Sequence, residues 1–169
     1  MRLRILLLPL LALPLVLAAS MTGALAVTEV YVCIQGIAGD SQVQSDCVDV
    51  YEFHHLVQGE PGNTRHEPVV FVKKRNDRST VDLLRALHMA EPHDMSFHFQ
   101  RGLPMPTEYY RVDLHDAVVV AIEPWSRDGD GGVEELERVR VSYSDMQLYY
   151  SEPSKSGDPR KKTHILRTP

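Results

Sequence analysis

The chain has no excess of positive charge, only two cysteines and only one long apolar run. Its 169 residues carry 18 Lys+Arg against 23 Asp+Glu, a formal net charge of −5. That balance argues against nucleic acid as a partner, because such binding draws on cationic contacts to phosphate. Two cysteines, Cys33 and Cys47, allow at most one internal disulfide. After residue 26 no apolar run approaches the about 20 residues that a membrane span needs. The sequence has no nucleophile elbow, no phosphate-binding glycine loop and no HExxH pair. Nothing therefore points to an enzyme or to a cofactor.

The one long apolar run is N-terminal. Arg2 and Arg4 precede it, and Ile5 to Ala19 is interrupted only by Pro9 and Pro14. Ala24-Leu25-Ala26 is a small-x-small cleavage site. Residues 1–26 read as a secretory signal peptide. A retained anchor is the alternative, but the run is short for a span. No cysteine sits at the cleavage site, which argues against a lipoprotein. The expectation is an exported protein, periplasmic or secreted, starting near Val27 and not inserted in a membrane after cleavage. Removal of residues 1–26 leaves 143 residues and moves the formal charge from −5 to −7. That is one domain of ordinary size.

The stretch Pro68 to Met89 organises this domain. Val69, Val70, Phe71 and Val72 favour a strand. Lys73-Lys74-Arg75 reads as its solvated end, and Asn76-Asp77 suits a turn. Ser79, with Asp82 three residues on, is placed to cap a helix. Val81, Leu84 and Leu87, with Leu83 beside them, give that helix an apolar face. At about three turns it is too short to stand alone in water.

The rest reads as strands. Val30, Val32 and Ile34 alternate with Tyr31 and Cys33. Gly36 to Asp46 is a loop, and Cys47 to Phe53 is a second strand. Cys33 and Cys47 share a face, so in an oxidising compartment they either pair or stay as two thiols, depending on register. Val57 to Pro68 holds Gly59, Pro61, Gly62 and Asn63 and reads as a long structureless connection. Met95, Phe97 and Phe99 mark another strand, Tyr109 to Leu114 another, and Ala117 to Ile122 a further one, apolar on both faces. Of those two faces, one can look into a barrel and the other can receive the helix or a second subunit. Arg127 to Gly132 reads as a hairpin loop. Val139, Val141 and Tyr143, then Met146, Leu148 and Tyr150, mark the last strands. Ser151 to Pro169 reads as a disordered tail.

Metal binding has weak candidates only. His54 and His55 are strand neighbours and point to opposite faces. His93, Asp94 and His98, or His115 and Asp116, could converge, and zinc needs about three such ligands. Asp128 and Asp130 lie in a loop without the terminal Glu of a calcium loop. Surface histidines and a simple turn are the better readings.

Four stretches, taken in order, resemble the haemolysin-coregulated protein (Hcp) family, the tube-forming component of type VI secretion systems. They are Val30 to Asp40 with its Gly-Ile-Ala-Gly-Asp turn, Phe71 to Ser79 with Lys-Arg-Asn-Asp, Tyr109 to Val119, and Val139 to Tyr150. The resemblance implies a mainly β fold, a small antiparallel β-barrel with one flanking α-helix, over residues 27–150. It implies a structural protein of the tube, with no catalysis and no cofactor. Its partners would be further copies of itself in stacked hexameric rings, a spike protein and small effectors in the lumen. The loop Gly59, Glu60, Pro61, Gly62, Asn63, Thr64 and Arg65 would be the subunit contact. A leader is unusual for the family, so an exported Hcp-like barrel serving as an extracytoplasmic binding module is the alternative.

Overall fold

The computed structural model describes residues 28–60, 63–102, 106–129, 131–152 and 160–167. The expected signal peptide lies outside the described residues. Among the described residues, eleven strands and one helix follow in order: β1 Thr28–Ile34, β2 Val48–Asp49, β3 Glu52–His54, β4 Val57–Glu60, β5 Asn63–His66, β6 Val69–Lys74, α1 Ser79–Met89, β7 Pro92–Arg101, β8 Thr107–Gly129, β9 Gly132–Ser142, β10 Asp145–Glu152 and β11 Arg160–Arg167.

All pairings are antiparallel, and the main sheet runs β2-β1-β7-β8-β9-β6-β3, with β10 on β8 and β11 on β10. The segment from β2 to β3 brings this sheet back on itself. Val50 N–H donates to Val30 O of β1 at 2.8 Å, and Tyr51 N–H donates to Val72 O of β6 at 2.8 Å. The result is the expected small barrel with one helix beside it. Its core follows the period of two: Val32, Phe97 and Val112 sit in register across β1, β7 and β8, and each is fully buried.

Strand β8 joins what the sequence suggested were two strands. Its first part pairs with β7 and β10, and its second part pairs with β9. The bend falls at Asp116, whose φ is +49°. Aspartate tolerates that left-handed geometry better than most residues. The corner is pinned from both sides: Asp94 Oδ1 accepts from Asp116 N–H at 3.3 Å, and Ser144 Oγ donates to His115 O at 3.0 Å. At the far end of β8, Arg127 and Asp128 are paired in the strand, so the hairpin turn is confined to Gly129–Gly132. Ala117 and Val119 point into the core, while Val120, at a register shift, is exposed.

The helix presents a different face from the one its leucines suggested. Leu83 and Ala86 are buried, with Leu87 half-buried beside them, whereas Leu84 and Val81 are exposed. The buried set Ser79, Leu83 and Ala86 is a true one-face stripe, and the connection from β6 decides which apolar stripe it is. Ser79 is not the cap either: its hydroxyl is buried without a hydrogen-bond partner. Asp77 takes the role, its Oδ1 accepting from Ser79 N–H at 2.9 Å.

Lys73 is the third departure. It shares the parity of Val69 and Phe71, so it points inward and is fully buried. Across β9 it meets Glu137, Nζ to Oε1 2.7 Å, and it also donates to Thr80 Oγ1 at 2.7 Å. Lys74 and Arg75 are the solvated end.

The expected tail is strand in part. Arg160–Arg167 adds to the edge of β10, with Met146 opposite Leu166 and Asp145 opposite Arg167. Ile165 and Leu166 supply the β-favouring residues, and a free edge at β10 supplies the hydrogen-bonding template.

Cys33 and Cys47 are joined as a disulfide. The bond closes the Gly36 to Asp46 loop on β1. In the chain-entropy view a closure of this size stabilises by about 3 kcal/mol. We expect alkylation and mass spectrometry to find no free thiol. A Cys33→Ser, Cys47→Ser double variant should unfold at clearly lower urea, and an unchanged midpoint would contradict the stabilising role.

Candidate functional site

The Val57 to Pro68 segment is not a structureless connection. β4 and β5 form a two-stranded sheet of their own, outside the barrel sheet. The Pro61-Gly62 pair that the sequence places at its tip lies outside the described residues, and Pro-Gly is a favoured centre for a tight turn. Of the expected contact residues, Gly59 and Glu60 lie on β4, and Asn63, Thr64 and Arg65 on β5. Arg65 extends to Glu67, Nε to Oε1 3.1 Å. Leu56 and Val57, at the root, are exposed.

Three rings tie that root to the barrel. His55 Nε2 lies 2.9 Å from Tyr143 Oη, and the His55 and His66 rings stack with centroids 5.8 Å apart. Tyr143 is packed in the core cluster. Burial pushes its hydroxyl up to about 12, so it stays protonated. Burial, then the neighbouring His66, holds His55 below the ordinary histidine value. Beside the rings is an open groove of about 710 Å³, bounded by Phe53, Leu56, Pro68, Val70 and Arg140.

Two other features stand out. The row next to the inward Val32-Phe97-Val112 row carries Tyr31, His98, Arg111 and Tyr149 across β1, β7, β8 and β10. Tyr31 stacks on His98 at 4.8 Å, and the Arg111 guanidinium lies 4.1 Å from the Tyr149 centroid. These flat side chains stack along the row, with Tyr31 buried and His98, Arg111 and Tyr149 half-buried. On α1, Val81, Leu84 and Met89 leave apolar surface exposed.

The histidines that could have met at a metal do not do so. His93 bonds Gln35 O through Nδ1 at 2.9 Å, His98 pairs with Glu108, and His115 lies 3.5 Å from Asp94. Among the described residues no group of three such side chains is set to hold a metal ion. Asp128 is a strand residue and Asp130 lies outside the described residues.

Residues 31–150 match the family described as "Type VI secretion system effector, Hcp". That match spans well over half of the 169 residues. The chain belongs to the Hcp family. Solved structures agree on the Hcp fold. Hcp1 from Salmonella typhimurium is 16% identical, with a TM-score of 0.67 over 81% of this chain and 93% of that one. Hcp3 from Pseudomonas aeruginosa, a secreted protein, is 22% identical, with a TM-score of 0.67 over 85% and 99%. A type VI secretion system effector from Yersinia pestis is 16% identical, with a TM-score of 0.63 over 81% and 99%. No curated protein matches the sequence closely enough to count as a relative. Membership makes the chain a structural protein of the type VI secretion tube class, not an enzyme.

Two of the stretches that carry the Hcp resemblance meet in space. Asp40 N–H donates to Asp77 Oδ2 at 2.9 Å, and Arg78 N–H donates back to Asp40 Oδ2 at 2.9 Å. Arg78 also donates to Gly39 O at 2.8 Å and to Asp46 Oδ1 at 2.6 Å. Gly39 itself admits no side chain, since a Cβ there would come within 2.4 Å of Cys47 O. The opening turn is thus a clamp on the start of α1, and Cys33–Cys47 fixes its other end.

Proposed function

We propose that this chain builds a type VI secretion tube. Copies associate head to tail into six-membered rings, each contact using unlike surfaces so that the ring closes. Rings stack through the β4–β5 hairpin, whose Gly59 to Arg65 segment reaches the next ring. The stacked tube is expelled with a spike protein and carries small effectors in its lumen. The observation that carries this reading is the family match over residues 31–150, joined to a hairpin that stands apart from the barrel sheet. Light scattering should give a hexamer mass, and negative-stain images should show rings. Deleting Gly59 to Arg65 should abolish stacking and leave the barrel folded. A folded monomer at every accessible concentration would reject the tube.

The leader-like residues 1–26 support a second reading, an exported barrel that binds a partner outside the cytoplasm. The same scattering experiment separates the two. A mature N-terminus near Val27 on the purified protein supports export, and an intact Met1 rejects it.

A further inference from the structure

We infer that the His55–His66 ring pair is a proton-operated hinge: in mildly acidic solution a proton added to the pair releases the β4–β5 hairpin from a barrel that stays folded. As a control on stacking, this rests on the reading of the hairpin as the ring-to-ring contact.

The hairpin forms a sheet of its own, and its root reaches the barrel through a chain of three rings, Tyr143 to His55 to His66. That chain is built for neutral imidazoles. Tyr143 Oη and His55 Nε2 share a hydrogen bond at 2.9 Å, and a proton added to Nε2 ends the arrangement in which the hydroxyl donates. His66 Nδ1 is buried with no hydrogen-bond partner, so a proton there becomes a buried donor with nothing to receive it. Two cations would also face each other across 5.8 Å.

The surrounding charges do not relieve this. On β3, Glu52 is engaged by the exposed His54 at 3.3 Å. On the link to β6, Glu67 is held by Arg65 at 3.1 Å. From β9, Arg140 lines the same groove with a further positive charge, and its own partner is Glu123 at 3.7 Å. Tyr143 stays neutral. Once detached, His55 returns to the ordinary histidine value of about 6.5. The detached state therefore binds protons more tightly. Attachment is complete above that value and is lost as the pH falls below it.

Hydrogen–deuterium exchange on the folded protein at pH 7.5 and 5.5, corrected for the intrinsic rates, tests the hinge. Amides of residues 57–60 and 63–67 should lose about tenfold or more of their protection at the lower pH. Amides of β6 and β9 should keep theirs. His66→Phe keeps a ring in the stack and removes both the facing charge and the buried nitrogen, so its hairpin should lose clearly less protection at pH 5.5. His55→Phe, run in parallel, should behave alike. Equal hairpin protection at both pH values, the same loss in both variants, or a loss that extends to β6 and β9 would overturn the hinge. Light scattering at the same two pH values reads the ring separately. A monomer at both rejects the tube without touching the hinge, and a hexamer whose hairpin is indifferent to pH rejects the hinge alone.

Discussion

Lys73→Met should destabilise the barrel by about 3–5 kcal/mol, the range seen when one partner of a buried ion pair is removed. Lys73 is fully buried and Glu137 nearly so, at 0% and 3% exposed. Without the ammonium, the Glu137 carboxylate keeps, among the described residues, the Thr80 hydroxyl 2.9 Å away. Thr80 lies in the first turn of α1 and is 2.8 Å from Arg75 O, so the start of the helix should loosen as well. Replacing both partners, Lys73→Met with Glu137→Leu, should recover most of the loss, because no charge is then left stranded. Urea unfolding reads both: a large fall in midpoint for the single variant and a small change for the double. A single variant as stable as the parent would show that the pair is not desolvated.

The second large effect is on the helix. Leu83→Ala should cost about 2–5 kcal/mol, as for other leucines truncated in a packed core. Leu83 is 0% exposed and lies in the core cluster with Phe71 and Met95. Leu84→Ala, one residue on, should stay within about 0.5 kcal/mol in dilute solution, since Leu84 is 48% exposed. In a domain of this size each kcal/mol moves the melting temperature by about 2–4 °C. The two variants should therefore separate cleanly in a thermal melt. The reverse order would mean that the helix docks by its other stripe.

Much of the barrel was legible because strands announce themselves by parity. The alternation at Val30, Val32 and Ile34 and at Met95, Phe97 and Phe99 corresponds to β1 and β7. Parity also contained the signal for the buried pair. Lys73 continues the inward set Val69 and Phe71, and Glu137 is in step with Val139 and Val141. A run of cations suggested a solvated end, but a buried lysine is stable when its counter-charge sits directly across the ladder. The hairpin at 57–66 was missed because its strands, Val-Gln-Gly-Glu and Asn-Thr-Arg-His, carry no regular apolar alternation in sequence. Backbone pairing of Val57–Glu60 with Asn63–His66 makes that element, so hydrophobic periodicity is silent there.

By itself the sequence determined the acidic balance, the strand-rich pattern, the short helix and the four stretches that mark an Hcp protein, since local propensity and order along the chain suffice for these. The tertiary structure decided everything that needs residues far apart to meet. It paired Cys33 with Cys47, set Lys73 on Glu137 and closed the Asp40–Arg78 clamp. It also turned Leu83 rather than Leu84 to the core, bent β8 into one strand at Asp116, and laid β11 on the edge of β10. The physical reason is the same in each case. Helical spacing offers more than one apolar stripe and strand parity offers two faces, and only the packing of neighbouring elements fixes which one is inside.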